Sequence, residues 1–224
     1  MATKEGVKLL INGTENSGKT TLISTIKEGL VMSTDNKAFR GKVPHFRYNT
    51  YNGLDDLIDT ISAKLEAYEA KFGKLPETFV IDSVTHLQNA IIKYSNDKYT
   101  GFNIWTSINR DILSFNAFIE EELIPAGINV VMTAHVVYDT DAARWKIDSP
   151  GNFGKTGSFM SLVDEAVFLE NKGNKRILHY STMKFPCRTL QAELPESTNV
   201  DDFNINEHIK LLESSVQESE EWSI

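Results

Sequence analysis

The chain has 224 residues, 41% hydrophobic and 24% charged, a length and composition that suit one folded domain, or one domain with a tail. Its lone cysteine, Cys187, excludes an internal disulfide and fits a reducing cytoplasm, and neither a secretory h-region nor an apolar run near the ~20 residues of a membrane helix is present. The net charge of −8 is uneven: residues 201–224 hold seven acids against Lys210, net −6, leaving −2 for residues 1–200, so acidity alone does not exclude a nucleic-acid partner.

Val7, Leu9, Leu10 and Ile11 read as a short buried strand. It breaks into Gly13-Thr14-Glu15-Asn16-Ser17-Gly18-Lys19-Thr20, which fits G-x-x-x-x-G-K-[ST] at every fixed position. Gly13 and Gly18 let successive N–H groups turn inward on an anion, and the helix starting near Lys19 adds its positive end. Lys19 supplies an ammonium for the β- and γ-phosphates, and the Thr20 hydroxyl is a hard ligand for Mg²⁺. Leu22, Ile23, Ile26 and Leu30 recur at helical spacing beyond the loop.

A loop over 31–44, with a weak strand near 37–43, leads to an alternating strand over 45–51. Asn52-Gly53 marks a turn, and Leu54 to Phe72 traces a helical face closed by Gly73. Thr78-Phe79-Val80-Ile81-Asp82-Ser83 is an apolar run ending in an acid. A buried parallel strand of that form delivers one carboxylate to the carboxyl edge of a sheet, where it holds Mg²⁺; the alternative is Asp82 as N-cap of the next helix, 84–94. Residues 94–105 read as an aromatic loop, and a long helix follows over 106–123. The strand 128–135 ends in His135, either a group that senses a γ-phosphate or an ordinary strand-end histidine.

Residues 136–158 are irregular and hold Arg144, Trp145, Lys146 and Lys155, the pattern of a functional loop. Strands are expected over 165–170, 176–182 and 188–194, with a basic turn from Met183 to Arg188 between the last two. The assignment is a core over 1–195 and an acidic, flexible tail over 196–224, with a short helix at 208–216.

The order of elements and the motifs resemble the RecA-like P-loop ATPase core: an α/β fold with a mainly parallel twisted sheet flanked by helices and a C-terminal antiparallel extension. Gly13 to Leu22, including Thr21 and the acidic Glu15, resembles the Walker A segment of that family; Val80 to Val84 resembles its Walker B. Val130 to His135 is similar to its sensor strand, with His135 in place of glutamine. The chain begins almost at the first core strand, a layout that looks like the Sak-type, phage-encoded, AAA-type nucleotide-binding proteins of single-strand annealing.

That resemblance implies ATP with Mg²⁺, and single-stranded DNA bound in the host cytoplasm by an oligomer. DNA would meet the loops 94–105 and 136–158, where Arg144, Lys146 and Lys155 offer cations and Trp145 either stacks on bases or packs on the core. Lys184 and Arg188 would reach a neighbour's γ-phosphate, or form only a surface turn. The glutamate that acts as base in RecA proteins has no counterpart in Arg47–Asp56, which leaves Asp55, Asp56 or Glu15. The acidic tail either keeps the chain soluble or recruits a replication partner through Trp222 and Ile224. The competing functions are a P-loop kinase of a small metabolite and a nucleotide switch that does not hydrolyse.

Overall fold

A computed structural model describes residues 5–35, 37–149 and 159–217. In chain order these form β1 (Lys8–Gly13), α1 (Lys19–Ile23), β2 (Gly29–Ser33), β3 (His45–Arg47), α2 (Leu54–Phe72), β4 (Thr78–Asp82) and α3 (Val84–Lys98). There follow α4 (Phe102–Phe118), β5 (Asn129–Asp139), β6 (Arg144–Ile147), β7 (Glu165–Lys172), β8 (Lys175–His179), β9 (Ser197–Asn199) and α5 (Ile205–Gln217).

The sheet runs β3-β2-β4-β5-β1-β7-β8-β9, with β6 paired to β5. All pairs from β3 to β7 along this path are parallel, and β7-β8-β9 is antiparallel. Successive side chains leave a strand on opposite faces, which divides the core in two. Leu10, Phe79, Ile81, Val130 and Met132 face one apolar cluster with α2, α3 and α4. Leu9, Ile11, Val80 and Val131 face the other, with α1 and α5. Covered on both sides, the central strands carry apolar residues on both faces, with buried polar groups such as Asn12, Asp82, Asn129 and Thr133 among them, and the predicted α/β class and sheet are the ones found.

Four expectations change. The helix after the P-loop ends at Ile23, and Leu30 belongs to strand β2. Glu28, with φ 51, turns the chain there, and all five residues of β2 are buried, so helical and strand spacing coincide over this run. The segment 37–43 forms no strand. The aromatic loop 94–105 shrinks to Tyr99–Gly101, because α3 extends to Lys98 and α4 starts at Phe102; a π-helical turn over Ile119–Leu123 finishes α4. The strand expected over 188–194 reduces to a single bridge between Ala166 and Arg188.

Two segments not expected in the sheet add strands to it, and the short helix expected at 208–216 is found as α5. Residues 136–147 are the β5–β6 hairpin. From 197 the chain adds β9, and α5 buries Ile205, Ile209 and Leu212 in the second cluster. Beneath that helix, His208 Nε2 meets Glu165 Oε1 at 2.5 Å; Glu165 Oε2 accepts from Thr189 Oγ1 at 2.6 Å and Gln191 Nε2 at 2.7 Å. Hydrogen bonds from His208, Thr189 and Gln191 outweigh burial and hold the Glu165 carboxyl below its usual range.

Candidate functional site

Strand β1 ends at Gly13, between His135 of β5 and Leu169 of β7. A Cβ on Gly13 would lie 2.5 Å from the Leu169 carbonyl oxygen, so only glycine lets the neighbouring strand pass this close. Gly18 has φ 102 and opens α1; Asn16, at φ 58, is also left-handed. The loop therefore curls over the start of α1, and Lys19 folds into it. Its ammonium donates to the carbonyls of Gly13 and Thr14, both at 2.8 Å, and lies 3.5 Å from Ser17 Oγ. Burial pushes the Lys19 pKa down to about 8, against the opposing pull of Asp82 and Glu15.

Asp82 closes the site from β4. Its Oδ2 accepts from Thr20 Oγ1 at 2.9 Å and its Oδ1 from Thr133 Oγ1 at 2.6 Å. The helix cap is the next residue: Ser83 Oγ accepts from the His86 backbone N–H, which frees Asp82 from that role. His135 sits beside the loop. Burial, then the positive charge of Lys19 and then His86, lower its pKa to about 4, so its imidazole is neutral near pH 7. Its Nδ1 is buried without a hydrogen-bond partner among the described residues, and its ring meets His86 edge to face at 5.3 Å.

These groups line one cavity of about 350 Å³. Glu15, Asn16, Ser17, Gly18, Lys19, Thr20 and Thr21 form its floor, with Asp82 and His135 at the back. Sequence reading missed His86, Asp35 and Arg176, which also line it. His86 follows Asp82 by one turn of α3, Asp35 follows the end of β2, and Arg176 comes in through the register of β1, β7 and β8.

The glycine cradle, the ammonium and the partnerless imidazole nitrogen fit a polyphosphate. The Thr20 hydroxyl and Asp82 carboxylate are hard oxygen donors that suit Mg²⁺. The AAA domain family model matches residues 5–191. The chain belongs to the AAA domain family. No curated protein matches it. As an AAA domain it is a nucleotide-binding ATPase module, and the P-loop, Asp82 and the parallel sheet are the structural form of that assignment.

Other predicted residues lie elsewhere in this AAA domain. Asp55 and Asp56 line a separate cavity with Tyr94, Lys98 and Arg110, and Asp56 accepts from Tyr48 Oη at 2.8 Å. Of the three acids considered as base, Glu15 is the one in the nucleotide cavity. Lys184 is exposed, with its ammonium 4.8 Å from the Phe185 ring centre, and Arg188 Nη2 donates to the Val163 carbonyl. Neither lines this chain's own cavity.

On β6, Arg144 is exposed and Lys146 pairs with Asp139 at 2.9 Å. Trp145 packs on the first core cluster and meets Tyr138 edge to face at 5.3 Å, so its indole is half-buried. Lys155, like Trp222 and Ile224, lies outside the described residues. No helix among the described residues is long and apolar enough to cross a membrane.

Proposed function

We propose that this AAA domain binds and hydrolyses ATP with Mg²⁺ and couples the cycle to single-stranded DNA. In this reading it is an oligomeric, phage-type recombination or strand-annealing ATPase of the cytoplasm. The observation that carries the nucleotide half is the shared carboxylate: Asp82 takes one hydroxyl from the P-loop residue Thr20 and one from Thr133 on β5. That arrangement ties the phosphate cradle to the metal side of the site.

Lys19 exchanges the carbonyls of Gly13 and Thr14 for β- and γ-phosphate oxygens, and the loop N–H groups and α1 hold the rest of the charge. Thr20 and Asp82 would hold Mg²⁺, which would supply positive charge against the phosphates. His135, neutral near pH 7, can donate one N–H toward a γ-phosphate. Water then forms the new bond to the γ-phosphorus as the bond to the bridging oxygen breaks, giving ADP and inorganic phosphate. Glu15 is the loop carboxylate available for the proton. Lys184 and Arg188, outside this chain's cavity, serve a neighbouring subunit as trans cations.

Surface chemistry supports the DNA half. The β5–β6 hairpin presents Arg144 and the exposed ring of Tyr138, and the first turn of α4 presents Phe102 and Trp105. Cations with exposed aromatic rings suit sequence-tolerant binding of single strands. The acidic C-terminal segment would contact a replication or single-strand-binding partner.

The test is ATP turnover with and without single- and double-stranded DNA. Single strands should stimulate turnover, and Lys19→Ala should cut it by about a hundredfold or more. Unchanged turnover and tryptophan fluorescence at saturating single-stranded DNA would sink the DNA reading. A second reading, a nucleotide switch without hydrolysis, is favoured by the placement of Asp55 and Asp56 in a different cavity. Tight ATP binding with no turnover under any DNA condition would establish it.

A further inference from the structure

The β7–β8 hairpin stands beside the P-loop because of its register. Gly13 pairs with Leu169, and Leu169 with Leu178. Two residues further on, Asn171 pairs with Arg176, about 7 Å past the level of Gly13 at the usual strand rise. Gly173, with φ 66, turns the hairpin just beyond. Strand alternation then selects the face: Leu178 and Tyr180 point into the second core cluster, the one that holds Leu22 and Ile23 of α1. Arg176, two residues before Leu178, leaves the strand on that same side, over the start of α1.

The guanidinium lies close against the loop. A Cβ built on Gly18 would be 2.9 Å from Arg176 Nη1, 3.0 Å from Cζ and 3.1 Å from Nε. Three such similar distances place the planar group nearly flat over Gly18. Arg176 is exposed, and it makes no ion pair and no side-chain hydrogen bond among the described residues. It lines the nucleotide cavity together with Lys19. A second cation beside an ammonium is repelled by it unless an anion lies between them. A planar fork with five donors is the side chain suited to phosphate oxygens.

We propose that Arg176 is a nucleotide-binding residue, a cation supplied by the chain's own antiparallel extension that binds the polyphosphate of the nucleotide held by the P-loop. This rests on the ATP reading of the site. The hairpin is then a side wall of the binding site as well as an edge of the sheet, and affinity for a polyphosphate depends on it.

Calorimetric titration of the full chain with ATP and with GTP tests this, comparing wild type with Arg176→Ala, Arg176→Lys and Lys19→Ala. Loss of a charge-assisted contact should weaken ATP binding about tenfold or more in Arg176→Ala. The factor should be the same for GTP, because phosphate is common to both, and Arg176→Lys should recover part of the loss. An unchanged thermal melt for Arg176→Ala would confirm that the exposed side chain acts on ligand rather than on folding. If wild type binds ATP, Lys19→Ala loses it and Arg176→Ala binds like wild type, the assignment of Arg176 is overturned and the P-loop reading stands. A loss confined to ATP would put the guanidinium on the base and overturn the phosphate assignment. If wild type itself fails to bind ATP, the reading of the site fails first.

Discussion

Replacing Thr133 by valine removes one hydroxyl from the site and leaves the side-chain shape nearly intact. In the wild type that hydroxyl donates to Asp82 Oδ1 at 2.6 Å, and Thr133 is fully buried while Asp82 is 8% exposed. Water therefore has little room to replace the lost donor. Oδ2 keeps its bond from Thr20, so one lone-pair direction of a buried carboxylate is orphaned rather than the whole group. A hydrogen bond to a charged partner contributes about 1.5–3 kcal/mol net, which sets the expected loss near 2 kcal/mol. For a chain of this size that is a fall of about 4–8 °C in Tm. Thr133→Ser keeps the hydroxyl and loses one methyl, so it should recover most of the difference, short by about 1 kcal/mol. The assay is a thermal melt of the three proteins, followed by ATP turnover against Mg²⁺ concentration. Without Thr133 to fix its orientation, Asp82 should require more Mg²⁺ for half-maximal turnover. A valine variant that melts within about 1 °C of wild type and keeps the same Mg²⁺ dependence would refute the reasoning.

Two further predictions follow from histidines, His135 half-buried at the nucleotide cavity and His208 buried under α5. His135 has its pKa lowered from 6.5 to about 4 in the folded chain, so between these values the unfolded chain binds the extra proton. Stability should fall as pH drops from 6.5 toward 4, and His135→Gln should flatten that part of the profile in chemical denaturation; a wild-type-minus-variant difference independent of pH would contradict it. His208 and Glu165 are 5% and 0% exposed, so His208→Ala breaks a buried pair and should destabilise by about 3 kcal/mol, read as a lower Tm and faster hydrogen exchange in α5. A melt matching wild type would show that α5 docks on its apolar face alone.

The phosphate loop was legible because its chemistry is contiguous: Gly13 to Thr20 acts as one stretch of backbone and needs no partner strand to be recognised. Asp82 was legible for a related reason, since an apolar run ending in an acid is a local pattern. Thr133 and Arg176 were not, because each enters the site through the order of the strands. Thr133 looks like any residue of a buried strand until β5 is known to lie beside β4. Arg176 stands in the sequence 157 residues from Lys19, and only the β1–β7–β8 register brings the two to one cavity. The terminal segment misled for a different reason. Its acids dominate the composition from 201 onward, while three apolar residues at helical spacing, Ile205, Ile209 and Leu212, decide where α5 goes. Composition averages over faces, and docking depends on one face.

Strand β7 is held at its first residue and again at its middle by groups that do unlike work. Its first residue, Glu165, is the carboxylate under α5, and its fifth, Leu169, lends the carbonyl against which Gly13 closes. The strand cannot leave its place at one of these points while keeping it at the other. Undocking of the C-terminal helix and loosening of the phosphate loop therefore belong to one cooperative opening unit rather than two independent ones. Amides around Gly13 should share their slow-exchange class with those of α5, so a helix near the far end of the chain sets how long the first loop stays shut.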